Sequence, residues 1–441
     1  MSRFRWVACQ LDELEKCTKR RSTLDEILEH LPETLEATYD QILSRISLAD
    51  ASDAVKLLLW LAFAREPLHI DYLAIIVEFD LDKKVFNSDA KLSSSGDVLK
   101  ICSSLVTRIG DNTVQLAHAS VKQYVLEKKR IIQSKIVLDH SMGHAFVGQC
   151  CLNYLLHPRD GLGRYHKQPL MIYSAKYWSQ HILASNLDVN AIEEIKELFD
   201  VTNISFGNWV EMYNNHIDIR EIMMNSESPL QCAALHGLKH MVEWLLLTPS
   251  VMKDLEGTYF SEDSMVENVG LDKDNSMLLE YGDALQAASD SGHKEIVQLL
   301  LERGADVNAE GEEENALQAA SHKGHKEIVQ LLLERGADVN AQGGIYGNAL
   351  KVASDNGHKE IVQLLLERGA DVNAQGGHYG NALQAASVNG HKEIVQLLLE
   401  RGADVNAQGG QYGNALQAAS DNGHKEIVQL LLERGAGTVE L

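Results

Sequence analysis

The sequence predicts a mainly α-helical chain that closes in an α-solenoid of stacked repeats, preceded by helices that carry one short β-hairpin. Three observations predict this. Five copies of His-Lys-Glu-Ile-Val-Gln-Leu-Leu-Leu-Glu-Arg-Gly-Ala begin at His293, His325, His358, His391 and His424, spaced by 32, 33, 33 and 33 residues. A fixed period of that size marks units that bury their apolar faces only against their neighbours. Upstream, apolar residues recur at helical spacing over 32–47, 53–64, 70–79 and much of 140–225. Between them, Leu105-Val-Thr-Arg-Ile109 and Val114-Gln-Leu-Ala-His118 flank Gly110-Asp-Asn-Thr113, two β-rich runs around turn residues. With 441 residues, the chain is long enough for two or three domains.

Taken in order, residues 1–48 read as a helical segment. Its clearest helix has Pro32 in the first turn and Leu35, Tyr39, Ile42, Leu43 and Ile46 on one face. Residues 49–130 read as a winged-helix domain. The helix from about Asp53 to Ala64 is apolar nearly all round, hence buried, and Pro67 closes it. The 105–118 hairpin supplies the wing, and Ser120 is expected to cap a helix through Leu126. Residues 131–225 read as a helical domain in which Tyr173, Tyr177 and Trp178 pack between helices. The pair Cys150-Cys151 is expected to place one thiol in the core and one outside. Residues 226–250 contain a degenerate repeat, Ser228-Pro-Leu-Gln-Cys-Ala-Ala-Leu-His-Gly237, continued by Met241-Val-Glu-Trp-Leu-Leu-Leu247. An acidic insertion, 251–282, reads as a loop. Five full repeats occupy 283–441.

Each repeat predicts two helices. Asp283, Asn315, Asn348, Asn381 and Asn414 stand where a side-chain oxygen can cap the first, and alanines in its middle permit close packing. In the second, Ile361, Val362, Leu365 and Leu366 form the apolar face, and Gly369 follows as the left-handed terminator. The recurring histidines read as turn residues. Successive copies stand roughly 10 Å apart, a helix diameter, whereas one zinc gathers ligands within about 2.0–2.3 Å; no metal and no cofactor is expected.

Gly-His at the turn, the Ile-Val-x-Leu-Leu-Leu run and Gly-Ala-Asp-Val-Asn make this array resemble the ankyrin repeat over about 228–436. Asn-Ala-Leu-Gln replaces the family's Thr-Pro-Leu-His, so the Asn caps are expected to substitute for its opening. The resemblance implies a concave groove lined by first helices and hairpin tips. The copies differ just there: at Asp290 and Ser291, His322 and Lys323, Asp355 and Asn356, Val388 and Asn389, Asp421 and Asn422, and at the tips through Ile345, His378 and Gln411. One tip is recast as Glu310-Gly-Glu-Glu-Glu314. The outward Lys359, Glu360, Gln363 and Glu367 have not drifted between copies, which makes the varying positions the candidate partner-binding residues. After Gly435-Ala436 the motif lapses, so the last unit is expected to be partly exposed or covered by something docked there.

Phe4-Arg-Trp6, Leu31-Pro-Glu-Thr-Leu35, Ile101-Cys-Ser-Ser-Leu-Val106, Val114-Gln-Leu-Ala-His118-Ala-Ser120 and Tyr173-Ser-Ala-Lys-Tyr-Trp178 resemble, in that order, the region that follows the NACHT nucleotidase in fungal NACHT–ankyrin proteins, which are NOD-like receptors. Those receptors carry a Gly-x-x-x-x-Gly-Lys-Ser/Thr phosphate loop; this chain has no Gly-Lys pair. The resemblance therefore implies a sensor or scaffold portion without the nucleotide motor.

A net charge of −23 argues against sequence-independent nucleic-acid binding and against anionic membranes. Residues 97–104 offer a DNA backbone only Lys100. No Cys-x-x-Cys, His-Glu-x-x-His or Gly-x-Ser-x-Gly motif appears, and no secretory apolar region follows Met1. The expectation is a non-enzymatic cytoplasmic protein, with the nucleus the other compartment, that binds a partner protein. Two alternatives are a transcription co-regulator, by analogy one of fungal secondary metabolism, and a truncated receptor.

Overall fold

The computed structural model describes residues 32–437 apart from 81–82, 128–129, 133–135, 139–141, 158–169, 186–188, 201–203, 217–227, 248–272, 311–313, 344–346 and 377–378. The expectations for residues 1–31 and for most of the acidic insertion therefore lie outside the described residues. The chain divides into two compact units, Met1–Met223 and Met224–Leu441.

The first unit starts with α1 (Leu35–Ser44), capped by Thr34, whose hydroxyl accepts from the Ala37 amide at 3.1 Å. Pro32 thus precedes the cap instead of sitting in the first turn. Helix α2 (Ala51–Phe63) is the buried helix the sequence predicts, with Leu57, Leu58 and Trp60 fully enclosed. Its one buried cation, Lys56, is satisfied by the Val77 carbonyl at 2.7 Å and Asp53 at 3.0 Å. After β1 (Leu68–His69) and α3 (Ile70–Val77) come the short pair β2 (Phe79–Asp80) and β3 (Val85–Phe86), then α4 (Val98–Cys102). The wing is β4 (Val106–Ile109) and β5 (Thr113–Leu116), antiparallel and in register from Val106–Leu116 to Ile109–Thr113. Two-residue β1 adds to β5 and makes a three-stranded sheet. Asn112 takes a positive φ of 62° at the tip, a conformation asparagine tolerates.

Helix α5 (Ala119–Glu127) is not capped by Ser120. His118 takes that role. Its Nδ1 accepts from the Ser120 amide at 3.1 Å, and the Ser120 hydroxyl is shared with Tyr39 at 2.8 Å. Strands β6 (Arg130–Ile132) and β7 (Ile136–Leu138) form one further antiparallel pair. Four helices follow: α6 (Gly143–Leu156), α7 (Met171–Leu183), α8 (Val189–Leu198) and α9 (Ile204–His216). Of the aromatic side chains predicted between helices, Tyr173 and Trp178 are core, while Tyr177 is only half-buried and donates to Glu66 at 3.0 Å. Trp178 stacks edge-on to Trp209 at 5.5 Å, and the Trp209 indole donates to the Ala175 carbonyl at 3.1 Å. Cys150 and Cys151 are both fully buried, so no thiol of the pair is exposed. Helix α6 is enclosed on every side, which removes the outward face a second cysteine would need.

The second unit is a two-layered stack. Its degenerate repeat is α10 (Pro229–Leu235) and α11 (Lys239–Leu247). The five full repeats are α12 (Lys273–Asp290) with α13 (Lys294–Glu302), α14 (Ala316–Lys323) with α15 (Lys326–Glu334), α16 (Ala349–Asp355) with α17 (Lys359–Glu367), α18 (Ala382–Val388) with α19 (Lys392–Glu400), and α20 (Ala415–Asp421) with α21 (Lys425–Glu433). First helices pack on first helices and second on second. Asp283 is not a cap, because α12 runs through it from Lys273; residues 273–282 are therefore helix, not loop. A glycine with positive φ stands just ahead of the Asn cap in later units, as Gly347, Gly380 and Gly413 do, and stops any upstream helix; Gly282 has no such conformation.

Candidate partner-binding surface

The repeats are locked to one another by three polar devices. The first joins each turn histidine to the preceding unit. His325, His358, His391 and His424 contact through Nε2 the carbonyls of Asp290, His322, Asp355 and Val388, each at 2.9 Å, and His293 contacts Leu235 at 3.1 Å. Each ring also fills the space beside the preceding turn glycine. A Cβ on Gly357, whose φ is +81°, would stand 2.8 Å from His391 Cε1. The glycine is thus required twice, by its backbone conformation and by the ring lying over it.

The second device is an asparagine ladder along the links. Asn340 Nδ2 donates to the Gly369 carbonyl at 3.2 Å while its Oδ1 accepts from the Asp371 amide at 2.8 Å. Asn308, Asn373 and Asn406 repeat the same bridge. The third is capping. Asn315 and Asn381 form reciprocal boxes with Gln318 and Gln384, and those glutamines extend to the next unit's hairpin carbonyls, Gly347 and Gly413, at 3.0 Å. In the unit of Asn348 the glutamine is replaced by Lys351, whose ammonium donates to the Gly376 carbonyl at 2.8 Å. Burial pushes the Lys351 pKa down; nearby Asp355 opposes it.

The varying residues end the first helices. Position by position, Asp290, His322, Asp355, Val388 and Asp421 are equivalent, and all stand at or beside the end of their helix. The carbonyl of the first four serves the next histidine, so the main chain makes the structural contact and the side chain is released to vary. Neighbouring units meet through these side chains. Lys323 stands 3.8 Å from Asp290, and Asn389 donates to Asp355 at 2.8 Å. His322 lies 3.8 Å from Glu314. Burial raises the carboxyl pKa of Asp290 and of Asp355, although Lys323 and Lys351, respectively, pull the other way. Asn356 and Asn422 turn back to their own helices, on Val352 and Ala418. Ser291 is half-buried, and Gln411 is exposed.

Val388 is a correction: only 9% of it is exposed, so its side chain belongs to the packing and offers a partner little. Ile345 and His378 lie outside the described residues. Sequence reasoning passed over Tyr379 and Tyr412, whose rings stack at 6.5 Å with planes 15° apart at adjacent tips. Their signal was constancy, Tyr346, Tyr379 and Tyr412 recurring beside the varying tip residue. Among the described residues no group of three or more His, Cys, Asp or Glu is placed to hold a metal ion, and no helix is long and apolar enough to cross a membrane.

Known proteins agree with this architecture. The family described as ankyrin repeats (3 copies) matches residues 210–343, 285–376 and 350–439, together more than half of the 441 residues. The winged helix domain of GPI inositol-deacylase matches residues 45–138. A relative from Monascus ruber, "Azaphilone pigments biosynthesis cluster protein L", is 32% identical over 323 residues, which are 67% of this chain and 65% of the relative. The chain thus spans somewhat less than two thirds of that protein. Its helix pairs, turn glycines and Gly-Ala-Asp-Val-Asn links place the chain in the ankyrin-repeat family, with a winged-helix domain ahead of the repeats.

Proposed function

We propose that the chain is a non-enzymatic scaffold or sensor that holds a partner protein on the inner face and tips of its ankyrin array. The winged-helix and helical region serves as a second docking module. One observation carries the reading. Among the described residues, differences between the copies gather in one row at the ends of the first helices, while the second helices, the turn histidines and the bridging link asparagines stay constant; Lys351 and Val352 are exceptions inside one first helix. A surface selected for recognition varies in this way, whereas free drift would also reach the outer positions such as Lys359 and Glu360.

The test is affinity capture with the full chain, followed by the same capture with His322, Lys323, Asp355, Asn356 and Asn389 all changed to alanine. The expected result is loss of the captured partner with a melting temperature shifted by only a few degrees, because exposed pairs contribute about 0–1 kcal/mol each. Undiminished capture by the folded variant refutes the reading.

The relative named for an azaphilone pigment biosynthesis cluster favours a second reading, a co-regulator of such a gene cluster acting through protein contacts. Nuclear residence together with chromatin association supports it, and exclusively cytosolic residence opposes it.

A further inference from the structure

The run Asn-Gly-His-Lys recurs three times, from Asn356, Asn389 and Asn422. All three asparagines are exposed and share one backbone conformation, with ψ of 1°, 2° and 4°. Their glycines stand in different surroundings. A Cβ on Gly357 would lie 2.8 Å from His391 Cε1, and one on Gly390 2.6 Å from His424 Cε1, so the next repeat's ring covers each. Those rings are themselves fixed, His391 to the Asp355 carbonyl and His424 to the Val388 carbonyl, each at 2.9 Å. Over Gly423 there is no such ring: among the described residues no atom comes within 4 Å of its Cβ position, and it is exposed where Gly357 and Gly390 are half-buried. The asparagine side chains differ less. Asn356 donates to Val352 at 3.0 Å and Asn422 to Ala418 at 2.9 Å, while Asn389 has the further tie to Asp355 at 2.8 Å.

Asparagine before glycine can react with its own backbone, because glycine has no side chain to block the approach. The reaction needs the glycine nitrogen to meet the asparagine side-chain carbonyl carbon. With ψ near 0° the nitrogen points away from that carbon, and the peptide must turn by roughly a third of a rotation to reach it. A ring held on the glycine resists this swing, so Asn356 and Asn389 must wait for neighbouring repeats to separate. Asn422 needs only a local opening of its turn.

We propose that Asn422 is a site of spontaneous deamidation, and that the turn histidines protect Asn356 and Asn389 from the same reaction. The Gly423 amide nitrogen gives up its proton and bonds to the Asn422 side-chain carbonyl carbon. The side-chain nitrogen leaves as ammonia, which carries away that proton, and a five-membered imide remains. Water then opens either carbonyl of the imide, leaving aspartate or isoaspartate. The balance is one water consumed and one ammonia released, with no oxidant or reductant. The product changes the surface in two ways. A carboxylate cannot donate to the Ala418 carbonyl as the carboxamide does, and it adds a negative charge at the C-terminal end of α20, where the helix dipole is already negative. The row of residues that varies between copies thus gains a charge with age.

The test is incubation of the full chain in heavy-oxygen water at mildly alkaline pH, followed by tryptic digestion and tandem mass spectrometry, which separates the three sites because their peptides differ in sequence. Label enters only at residues that deamidate during the incubation. In the native chain Asn422 should react at least about fivefold faster than Asn356 or Asn389, the factor expected from one extra hydrogen bond that must open at the covered turns. In urea the three should react within about twofold of one another, because the residues after each are identical. His391→Ala uncovers Gly357 and should raise the Asn356 rate at least about threefold, while Asn389, still covered by His424, keeps its rate and shows that the array remains folded. Equal rates at the three sites of the native chain, a urea-unfolded chain that keeps the native ratio, or an Asn356 rate unmoved by His391→Ala overturns the proposal.

Discussion

Gly357→Ala should destabilise the array for two separable reasons, and a double-mutant cycle with His391→Ala separates them. At φ +81° an added Cβ costs about 1–2 kcal/mol in backbone strain. Its 2.8 Å approach to His391 Cε1 and 3.0 Å to Nδ1 adds a packing clash of about 1–3 kcal/mol, because the ring is tied to the Asp355 carbonyl at 2.9 Å and cannot swing away freely. His391→Ala alone loses that hydrogen bond and the ring's packing, about 2–3 kcal/mol. In the double variant the ring is gone, and only the strain and the lost bond remain. The pair should therefore cost about 1–3 kcal/mol less than the sum of the single changes. Gly369→Ala is the control: its φ is +89° but nothing lies within 4 Å of the new Cβ, so it should show strain alone and add simply to His391→Ala. Urea unfolding of the full chain, followed by far-ultraviolet circular dichroism, measures each single and double variant against the parent. Additive costs for Gly357→Ala and His391→Ala would refute the idea that the ring and the glycine form one lock.

Three further predictions concern other parts of the molecule. Asn340→Ala removes both hydrogen bonds of one rung of the ladder, at Gly369 and Asp371; water reaches this exposed site, so the loss should be about 1–2 kcal/mol, read as a lower urea midpoint. His181 is fully enclosed, bonded to Tyr173 and His144 at 2.9 Å each, and burial lowers its pKa to about 3; His236 in the other unit is lowered to about 4. Both folded values lie below the unfolded histidine value near 6.5, so their stabilising effect is complete above about pH 6.5 and is lost as pH falls toward 3–4. Urea midpoints measured from about pH 7.5 down to about 4.5 should fall, and a His181→Gln variant should lose less over that range. Cys102, Cys150, Cys151 and Cys232 are buried, and burial pushes the Cys102 and Cys151 thiols up to about 12. Peptide mapping after iodoacetamide treatment should find these four unmodified in native protein and modified in urea.

The array was legible in the sequence because period, cap and terminator agree in nearly every copy: Asn348, the alanines after it, Gly357 and Gly369 each dictate a local conformation that the stack then reuses. The locks between units were less legible. That His391 belongs to Asp355 and Gly357 depends on how two units stack, which no local pattern encodes. Strand β1 was missed because two residues carry no alternation, and only pairing with Val114 and Thr113 makes Leu68 and His69 a strand. Ser120 matched the preferred cap type, but His118 stands two residues earlier and its ring reaches the Ser120 amide. In the candidate site, comparing copies found Asp355 and Asn389, which touch each other across units, but it included Val388, which is packed, and passed over Tyr379 and Tyr412, which do not vary. Difference between copies reports what a surface is free to change, and passes over a constant contact such as the Tyr379–Tyr412 stack.

If the inner row, and not the outer helices, holds the partner, two alanine variants should differ sharply in their dissociation constants for the captured protein. The first carries alanine at His322, Lys323, Asp355, Asn356 and Asn389; the second at Lys359, Glu360, Gln363 and Glu367. Binding should weaken at least about thirtyfold in the first, since a few central residues dominate such interfaces, and less than about twofold in the second. Equal losses, or a larger loss from the outer variant, would mean that the inner row is not where the partner is held.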